Sequence, residues 1–520
     1  MISAATLALR DAHDFLGWGH NPCQYNDLMA LPIALYSTAQ VRALDAHAIN
    51  ELKIPGYMLM KRAGEAALRY LRTRWPMAHR IVIVCGSGNN GGDGYVLARF
   101  AQAAGLTVSV LAAAPPEQLR ADARQAYEDL RASDGSVKPF AADGLGAGDV
   151  IVDAILGTGL KGGVREDLAA VIRAINSTGS PVFALDVPSG LDSDAGTVAG
   201  DAIRADATVT FVGLKTGLFV GDGPEYAGTV FFDDLELGEA PQLALAPRLT
   251  RIIEAEIHAA LPRRPRASNK GDFGRVLIVG SGSGMPGAAR LAGEASLRVG
   301  AGLVTVAVAP ENVAPISAGR PELICLPLKE PAALEEALSR ADVVAIGPGL
   351  GRTPWARAAL DAVLTSAKPL VVDADALNLI AESGATAREH WILTPHPGEA
   401  GRLLDISAQE VQRDRLGSLD RLLDRYHGTV VLKGAGTLIG AADRTPALCE
   451  RGNPGMATAG TGDVLTGTIA GILAQCGDTW VAARVGVLVH ALAGDAAARG
   501  GERGVLAGDL LRELPHCVNL

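Results

Sequence analysis

Residues 81–100 read IVIVCGSGNNGGDGYVLARF, and this stretch decides the fold of the amino-terminal half. Its first five residues are apolar and mostly β-branched, which is typical of a buried strand. Its last six residues are compatible with an amphipathic helix. Between them lies GSGNNGGD, a turn that contains the spacing G-x-G-x-x-G at Gly86, Gly88 and Gly91. A buried strand, a glycine-rich turn and a helix indicate a parallel sheet that binds a ligand at the carboxyl ends of its strands.

This turn alone does not establish a dinucleotide cofactor. A dinucleotide-binding fold needs an acidic residue about 20 positions further on, where it binds a ribose hydroxyl. The next predicted strand instead ends in LAAAPP at residues 111–116. A P-loop is excluded as well, because no Lys followed by Ser or Thr comes after the glycines. The glycines therefore favour another kind of phosphate-binding loop.

Alternating strands and helices predict two separate α/β domains. Residues 37–51 and 58–75 carry apolar residues at three- and four-residue spacing, which predicts two helices. Short apolar strands then alternate with helices, as in parallel sheets covered on both faces. The predicted strands are 80–85, 107–112, 149–155, 181–186, 207–212 and 229–232 in the first series, and 275–280, 303–308, 342–346, 369–373, 391–393 and 429–432 in the second, followed by a hairpin of 437–440 and 446–449 and by helices 458–475 and 478–499.

The domain junction is predicted at residues 241–267, which are rich in proline and charge. One domain then covers residues 37–240 and the other covers residues 268–520. Residues 1–36 form an extension of unknown role, because they lack the basic start and apolar core of a signal peptide. The predicted fold class is α/β, with two doubly wound domains.

Composition restricts the partners of the chain. Its 520 residues carry a formal net charge of −10 without a long basic block, which argues against a nucleic-acid partner. The six cysteines include no C-x-x-C pair, so a disulfide framework and a zinc site are disfavoured and a reducing, cytoplasmic location is expected. No uninterrupted apolar run reaches the roughly 18 residues of a membrane span. We expect small-molecule substrates, no nucleic-acid or membrane partner, and a homo-oligomer.

Three glycine-rich loops follow three strands of the first series. They are NNGGDG (89–94), the end of DAILGTGLKGG (153–163) and LDVPSGLD (185–192). Because the carboxyl ends of parallel strands meet at one edge of a sheet, these loops are expected to converge on one crevice. Backbone amides of such loops approach an anion closely, and a following helix adds the positive end of its dipole. The crevice is therefore predicted to bind a phosphate group.

These motifs resemble those of the NAD(P)HX epimerase domain, also called the YjeF N-terminal domain. The resemblance covers about residues 37–240 and implies a Rossmann-like three-layer sandwich. NAD(P)HX is hydrated NAD(P)H, and the resemblance implies that it binds the first two loops and Asp186, which is also positioned for proton transfer. The implied binding residues are Asn89, Asn90, Gly91, Gly92, Asp93, Gly157, Thr158, Gly159, Leu160, Lys161, Gly162, Gly163 and Asp186.

The same resemblance implies a potassium ion held by Asn90, Asp153 and Ser189. Amide, carboxylate and hydroxyl oxygens are hard ligands that suit a weakly held alkali cation. Such an ion also offsets phosphate charge. We therefore expect K⁺ as a cofactor of the first domain.

The most informative motif of the second half is AGTGDVLTG at residues 459–467. It places two glycines and an aspartate at the start of a long apolar helix, so that free helix amides face the same space as the aspartate. This arrangement suits a phosphoryl group in transfer, since the amides stabilise its oxygens while Asp463 accepts a hydroxyl proton. An ordinary helix cap would not require Gly460 and Gly462 as well.

With IGPGLGR (346–352), LTPHPGEAGRLL (393–404) and VLKGAGTLI (431–439), this motif resembles the ADP-dependent NAD(P)HX dehydratases, which belong to the ribokinase-like superfamily. The resemblance runs from about residue 268 to 515. It implies Mg²⁺ as a cofactor, and the candidates to place it are Asp373, Asp375 and Glu399. The implied ADP or AMP site consists of Lys433, Gly434, Ala435, Gly436, Thr437 and Gly462, and the implied NAD(P)HX contacts are Ala301, Gly349, His396 and Asp463.

Together the two resemblances imply repair of a damaged cofactor. The second domain would use ADP to dehydrate the S form of NAD(P)HX, giving NAD(P)H, AMP and phosphate, and the first would interconvert the R and S forms. The alternative is a ribokinase-like kinase of a hydroxymethylpyrimidine or a vitamin, with a non-catalytic amino-terminal binding domain. Asp463 and its glycines fit both interpretations, whereas Asp186 and the potassium set favour the first.

Overall fold

The computed structural model describes residues 31–159, 162–238, 245–330, 333–384 and 387–520. Residues 33–520 belong to one unit. Its strands, numbered in chain order over the described residues, are β1 (Ala34–Tyr36), β2 (Arg80–Cys85), β3 (Thr107–Ala112), β4 (Val137–Pro139), β5 (Val150–Ala154), β6 (Val182–Leu185), β7 (Ala207–Phe211), β8 (Leu214–Lys215), β9 (Thr229–Asp233), β10 (Leu249–Arg251), β11 (Arg275–Val279), β12 (Leu303–Val308), β13 (Ile324–Pro327), β14 (Val343–Ile346), β15 (Leu370–Val372), β16 (Trp391–Leu393), β17 (Thr429–Leu432), β18 (Thr437–Ala441) and β19 (Ala447–Cys449).

Helices cover these strands and connect most of them. In the same numbering they are α1 (Thr38–Asn50), α2 (Gly56–Arg74), α3 (Asn89–Ala103), α4 (Ala121–Ala132), α5 (Glu166–Asn176), α6 (Gly223–Ala227), α7 (Ala255–Ala260), α8 (Pro286–Arg298), α9 (Val313–Gly319), α10 (Leu334–Arg340), α11 (Pro354–Leu364), α12 (Ala374–Ser383), α13 (Pro397–Leu404), α14 (Ala408–Arg413), α15 (Arg415–Tyr426), α16 (Thr461–Cys476), α17 (Thr479–Ala497) and α18 (Ala507–Cys517).

The amino-terminal sheet has the strand order β4-β3-β2-β5-β6-β7-β9, and all its pairs are parallel. The apolar run of β2 explains why both faces are covered. Ile81 and Ile83 pack in the core beneath α2 and α3, whereas Val82 and Val84 pack beneath α5. Because β2 lies inside the sheet, the turn that follows it opens at the middle of the carboxyl edge.

The carboxyl-terminal sheet contains twelve strands in the order β13-β12-β11-β14-β15-β16-β17-β18-β19-β10-β1-β8. The first seven are parallel, and β18 is antiparallel to both of its neighbours, which confirms the predicted hairpin. Helices α8, α16, α17 and α18 share one apolar core over this sheet. The predicted α/β class with parallel sheets is confirmed in both halves.

The predicted extension and junction depart from the structure at β1 and β10. Strand β10 pairs in parallel with β19 and antiparallel with β1, and β1 pairs in parallel with β8. Residues 34–36 and 249–251 are therefore part of the sheet, whereas the sequence analysis placed them in the extension and the linker. Strands of two or three residues are too short to display a periodicity, and their partners lie far away in the chain. Residues 1–30 and 241–244 lie outside the described residues.

One described helical segment, Thr479–Gly500, is long and apolar enough to cross a membrane by length and composition alone. In the structure 61% of its most apolar window is buried inside the protein. Val485, Leu488 and Val489 of this segment belong to the core shared with α16. Its hydrophobicity is accounted for by this packing.

Candidate functional site

A cavity of about 670 Å³ lies at the carboxyl ends of β2, β5 and β6. The structure thus brings the three predicted loops together. Gly91, Gly92 and Gly162 are not among the residues that line the cavity. Gly91 and Gly92 are closely packed, since a Cβ would lie 2.1 Å from the Gly86 carbonyl oxygen and 2.6 Å from Met60, respectively. Leu160 and Lys161 lie outside the described residues. The predicted residues that line the cavity are Asn89, Asn90, Asp93, Gly157, Thr158, Gly159, Gly163 and Asp186.

The turn after β2 exposes the start of α3 to this cavity. Gly88 is the N-cap of α3, and no side chain caps the first helical amides. A Cβ on Gly86 would lie 2.0 Å from the Ile155 carbonyl oxygen, so that only glycine lets this turn approach the loop after β5. The glycine spacing therefore serves close backbone packing, and the free amides remain available to an anion.

Asp186 occupies the cavity in a strained conformation. Its φ of 65° is left-handed, which is unusual for a residue other than glycine. Its carboxylate forms an ion pair with Lys215. The Lys215 side chain is only 2% exposed, and its Nζ also donates to the Phe211 carbonyl oxygen at 2.6 Å. The sequence analysis missed Lys215, although a lysine inside the apolar stretch TVTFVGLKTG (208–217) was a detectable signal.

Three further carboxylates line the same cavity, Asp45 from α1, Asp93 from α3 and Asp122 from α4. Burial raises the pKa of Asp45, and the negative charge of Asp186 adds to this effect while Lys215 opposes it. Burial, with Asp186 and Asp45 nearby, raises the pKa of Asp93 well above its usual value. Helix α1 carries none of the sequence motifs, so that Asp45 was missed as well.

The predicted potassium ligands meet around the carbonyl group of Leu156. Asn90 Nδ2 donates to this oxygen at 2.9 Å, and Ser189 Oγ donates to it at 3.1 Å. Ser189 Oγ also donates to Asp153 Oδ1 at 2.6 Å, and burial raises the pKa of Asp153 to about 6. Among the described residues, the buried Asn90 Oδ1 has no hydrogen-bond partner. A buried carboxylate beside an unpartnered amide oxygen suits a cation with hard oxygen ligands.

The second site lies at the start of α16. The N-cap of this helix is Gly460, with a φ of 92° and no side-chain cap, so that Asp463 in the first turn is not the capping residue. A Cβ on Gly462 would lie 3.8 Å from both Asp373 Oδ2 and Lys433 Nζ, which places the helix start over this pair. Burial and then the Asp373 charge raise the pKa of Asp463 to about 7. The helix start therefore presents free amides and a carboxyl group that titrates near neutrality.

The three candidate magnesium carboxylates bind protein donors. Asp373 accepts from Lys433 Nζ at 2.7 Å and from a threonine hydroxyl of α16, also at 2.7 Å. Asp375 accepts from the Gly351 amide at 2.8 Å, and Glu399 accepts from the His396 amide at 2.8 Å. Over the described ranges, no group of three or more His, Cys, Asp or Glu residues is arranged to hold a metal. These carboxylates therefore do not form a dedicated Mg²⁺ cage.

The predicted nucleotide loop, residues 433–437, connects β17 to β18 and rests on Arg415. This arginine is buried and donates to the carbonyl oxygens of Leu432 at 3.2 Å, Lys433 at 3.3 Å and Gly436 at 3.2 Å. A Cβ on Gly436 would lie 2.3 Å from the Phe219 carbonyl oxygen, so the loop also contacts the segment that follows β8. Arg415 was missed, because a single arginine at a helix start resembles any surface charge.

The predicted NAD(P)HX contacts of the second domain divide between two places. Three of them lie at the carboxyl edge of the sheet. Gly349 follows β14, His396 follows β16, and Asp463 lies in the first turn of α16. His396 caps α13, where its Nδ1 accepts from the Gly398 amide at 2.9 Å. Ala301 instead precedes β12, beside Val299, whose carbonyl oxygen binds Gln475 near the end of α16. Twelve helical residues, or about 18 Å, separate that end from Asp463, so the structure does not bring Ala301 together with Asp463.

Comparisons with known proteins match the two halves of the chain to two family models. A family model described as YjeF-related protein N-terminus matches residues 56–217. A second, described as NAD(P)H-hydrate dehydratase, matches residues 276–516. The bifunctional NAD(P)H-hydrate repair enzyme of Coxiella burnetii is 49% identical over 93% of this chain and 99% of its own length. That of Escherichia coli is 42% identical over 94% of this chain and 95% of its own.

The chain belongs to the bifunctional NAD(P)H-hydrate repair enzymes.

Solved structures resemble the carboxyl-terminal half of this repair enzyme. A ribokinase-like superfamily protein of Enterococcus faecalis is 32% identical, with a TM-score of 0.50, over 53% of this chain and 97% of its own. This likeness confirms the ribokinase-like fold. An ADP/ATP-dependent NAD(P)H-hydrate dehydratase of Bacillus subtilis, co-crystallised with ATP and Mg²⁺, is 30% identical over 52% of this chain and 97% of its own, with a TM-score of 0.47.

Proposed function

We propose that this chain restores NAD(P)H from both epimers of its hydrated form. The amino-terminal domain interconverts the R and S epimers, and the carboxyl-terminal domain dehydrates the S epimer with ADP. The observation that carries the proposal is the presence of two separate sites in one repair-family chain. One is the cavity with the Asp186–Lys215 pair, and the other is the start of α16 with Asp463.

The dehydration follows from the groups at the start of α16. NAD(P)HX carries a hydroxyl group on the carbon beside the ring nitrogen, and hydroxide is a poor leaving group. Asp463, whose pKa of about 7 suits a base at neutral pH, takes the hydroxyl proton as the oxygen attacks the terminal phosphoryl group of ADP. The free amides of the first turn stabilise the phosphoryl oxygens. AMP leaves as the phosphoryl group is transferred. The ring-nitrogen lone pair then expels phosphate, and loss of a proton from the adjacent ring carbon completes NAD(P)H.

The adenine nucleotide is proposed to bind the loop of residues 433–437. Lys433 lies against Asp373 and 3.7 Å from Glu399, so that two carboxylates orient its ammonium group toward the helix start. Mg²⁺ neutralises phosphate charge when it is bound. Since the neighbouring carboxylates are engaged by protein donors, we propose that Mg²⁺ enters with the phosphates of the nucleotide, as is usual for this ion. The B. subtilis relative, named ADP/ATP-dependent, supports an adenine nucleotide as the donor.

Epimer exchange is proposed to occur in the 670 Å³ cavity. Asp186 is the proton-transfer group, and its ion pair with Lys215 fixes its carboxylate in place. The free amides at the start of α3 bind a phosphate of the nucleotide. Potassium at Asn90, Asp153 and Ser189 supplies positive charge to this edge of the cavity, and the unpartnered Asn90 Oδ1 supports this assignment.

The product balance of the purified chain tests this function. The S epimer of NADPHX, incubated with ADP and Mg²⁺, is expected to yield NADPH, AMP and phosphate in equal amounts. A kinase of another substrate would instead leave NADPHX unchanged and form a stable phosphorylated product from a pyrimidine or vitamin alcohol. That second result would contradict the proposal.

A further inference from the structure

The epimerase cavity contains more proton-transfer groups than Asp186 alone. Asp45 enters the cavity from α1, whereas Asp186 enters from the end of β6. Asp186 is ion-paired with Lys215. Asp45, by contrast, forms neither a hydrogen bond nor an ion pair with any of the described residues. Its side chain lines the cavity, where a polar ligand could bind it. A half-buried carboxyl group without a partner, aimed into a ligand cavity, is available to the ligand itself.

We propose that Asp45 is a second catalytic carboxyl group of the epimerase, acting as the acid where Asp186 acts as the base. This inference rests on the proposed epimer exchange and deepens it. An epimerase must act on both faces of one carbon, and one carboxyl group reaches both faces less readily than two groups on different elements. Helix α1 and strand β6 supply two such groups to one cavity.

With these two groups, the protons and electrons of the exchange balance. The Asp45 carboxyl proton passes to the substrate hydroxyl, the carbon–oxygen bond breaks and water leaves, while the ring-nitrogen lone pair forms a carbon–nitrogen double bond. A water molecule then adds to the opposite face of that carbon, the electron pair returns to nitrogen, and the proton of the water passes to the Asp186 carboxylate. The reverse epimerisation starts from this second protonation state, and proton exchange with solvent interconverts the two states.

The two carboxyl groups have different surroundings. Lys215 donates directly to Asp186. Asp45 faces Lys215 from β8, Asp186 from β6, Asp93 from α3 and Asp122 from α4, and two guanidinium groups, those of Arg42 and Arg165, also line the cavity. Burial is the largest influence on Asp45 and raises its pKa. Carboxyl groups whose environments differ in this way are suited to opposite acid and base roles.

The test measures epimer exchange and dehydration separately in the full-length chain. Exchange is followed without ADP, from a purified R epimer, by chromatography of the two forms and with the spontaneous rate subtracted. Asp45→Asn is expected to lower the enzymatic exchange rate about 10²- to 10⁴-fold. Dehydration of the S epimer with ADP is expected to remain within about threefold of wild type, which also reports that the chain is folded. Glu51→Gln, an exposed change just beyond the same helix, is the matched control and is expected to leave both rates unchanged.

Two further readouts separate a catalytic role from a structural one. The falling limb of the wild-type pH profile for exchange, where the acid loses its proton, is expected to disappear in Asp45→Asn. Asp45→Glu restores a carboxyl group and is expected to exchange epimers at least tenfold faster than Asp45→Asn. Wild-type exchange in Asp45→Asn would overturn this inference and leave the proposed epimerase function standing. The same conclusion would follow if Asp45→Glu showed no recovery in a chain that still dehydrates. A wild-type chain without exchange would overturn the proposed epimerase function as well.

Discussion

The ionisation of Asp463 offers a quantitative test of the dehydration mechanism. Burial, followed by the negative charge of Asp373, raises the pKa of Asp463 from 3.8 to about 7. A base with this pKa is about one-tenth ionised at pH 6 and about nine-tenths ionised at pH 8. The kcat/KM for the S epimer is therefore expected to rise roughly tenfold over this interval. An aspartate with an ordinary pKa would be fully ionised throughout and would give a flat profile.

The assay follows the absorbance of the reduced nicotinamide ring at saturating ADP and Mg²⁺, with the S epimer varied at each pH. Asp463→Asn removes the base and is expected to lower kcat about 10²- to 10⁴-fold. Any pH dependence that remains in this variant reflects the ionisation of ADP, and it is subtracted from the wild-type profile. A corrected profile that stays flat between pH 6 and 8, or an Asp463→Asn variant near wild-type activity, would refute Asp463 as the base.

Three further predictions concern buried groups. Lys215→Met removes the ion-pair partner that holds the Asp186 carboxylate and is expected to slow epimer exchange at least about 10²-fold. Exchange near wild type would contradict this. Arg415→Met leaves three loop carbonyls without this donor and is expected to raise the KM for ADP roughly tenfold or more, whereas the exposed Arg413→Met is expected to leave it unchanged. Potassium at 100 times its Kd is expected to stabilise the wild-type chain by about 2.7 kcal/mol in thermal unfolding. Asp153→Asn is expected to lose this response, and an equal response in both chains would argue against the site.

The long strands of the fold were predictable from the sequence, because strands that are buried consist mostly of apolar residues. Strand β2 is buried on both faces, and the uninterrupted apolar run IVIVC (81–85) marks it. The very short strands β1, β8 and β10 were not predictable. Each has only two or three residues, and each is specified by partners that lie far away in the chain.

The residues of the candidate sites also include some that the sequence predicted and some that it did not. Residues within glycine-rich loops were predictable, since the loops follow recognisable strands and the carboxyl ends of those strands meet. Asp45, Lys215 and Arg415 were missed because each reaches its site from an element without a motif, and only the folded arrangement brings them there. Ala301 precedes β12 and so lies at the other edge of the sheet from Asp463, because position along a strand decides which edge a residue occupies.

The central claim is that two sites in one chain repair both epimers of the hydrated cofactor. The most direct measurement supplies a mixture of R and S NADPHX with ADP and Mg²⁺ and follows the reduced-nicotinamide absorbance to its endpoint. Wild type is expected to convert the whole mixture, whereas Asp186→Asn is expected to convert the S fraction at the wild-type rate and then continue only as fast as the spontaneous exchange. An endpoint at the S fraction in both chains, or no conversion of either epimer by wild type, would contradict the account.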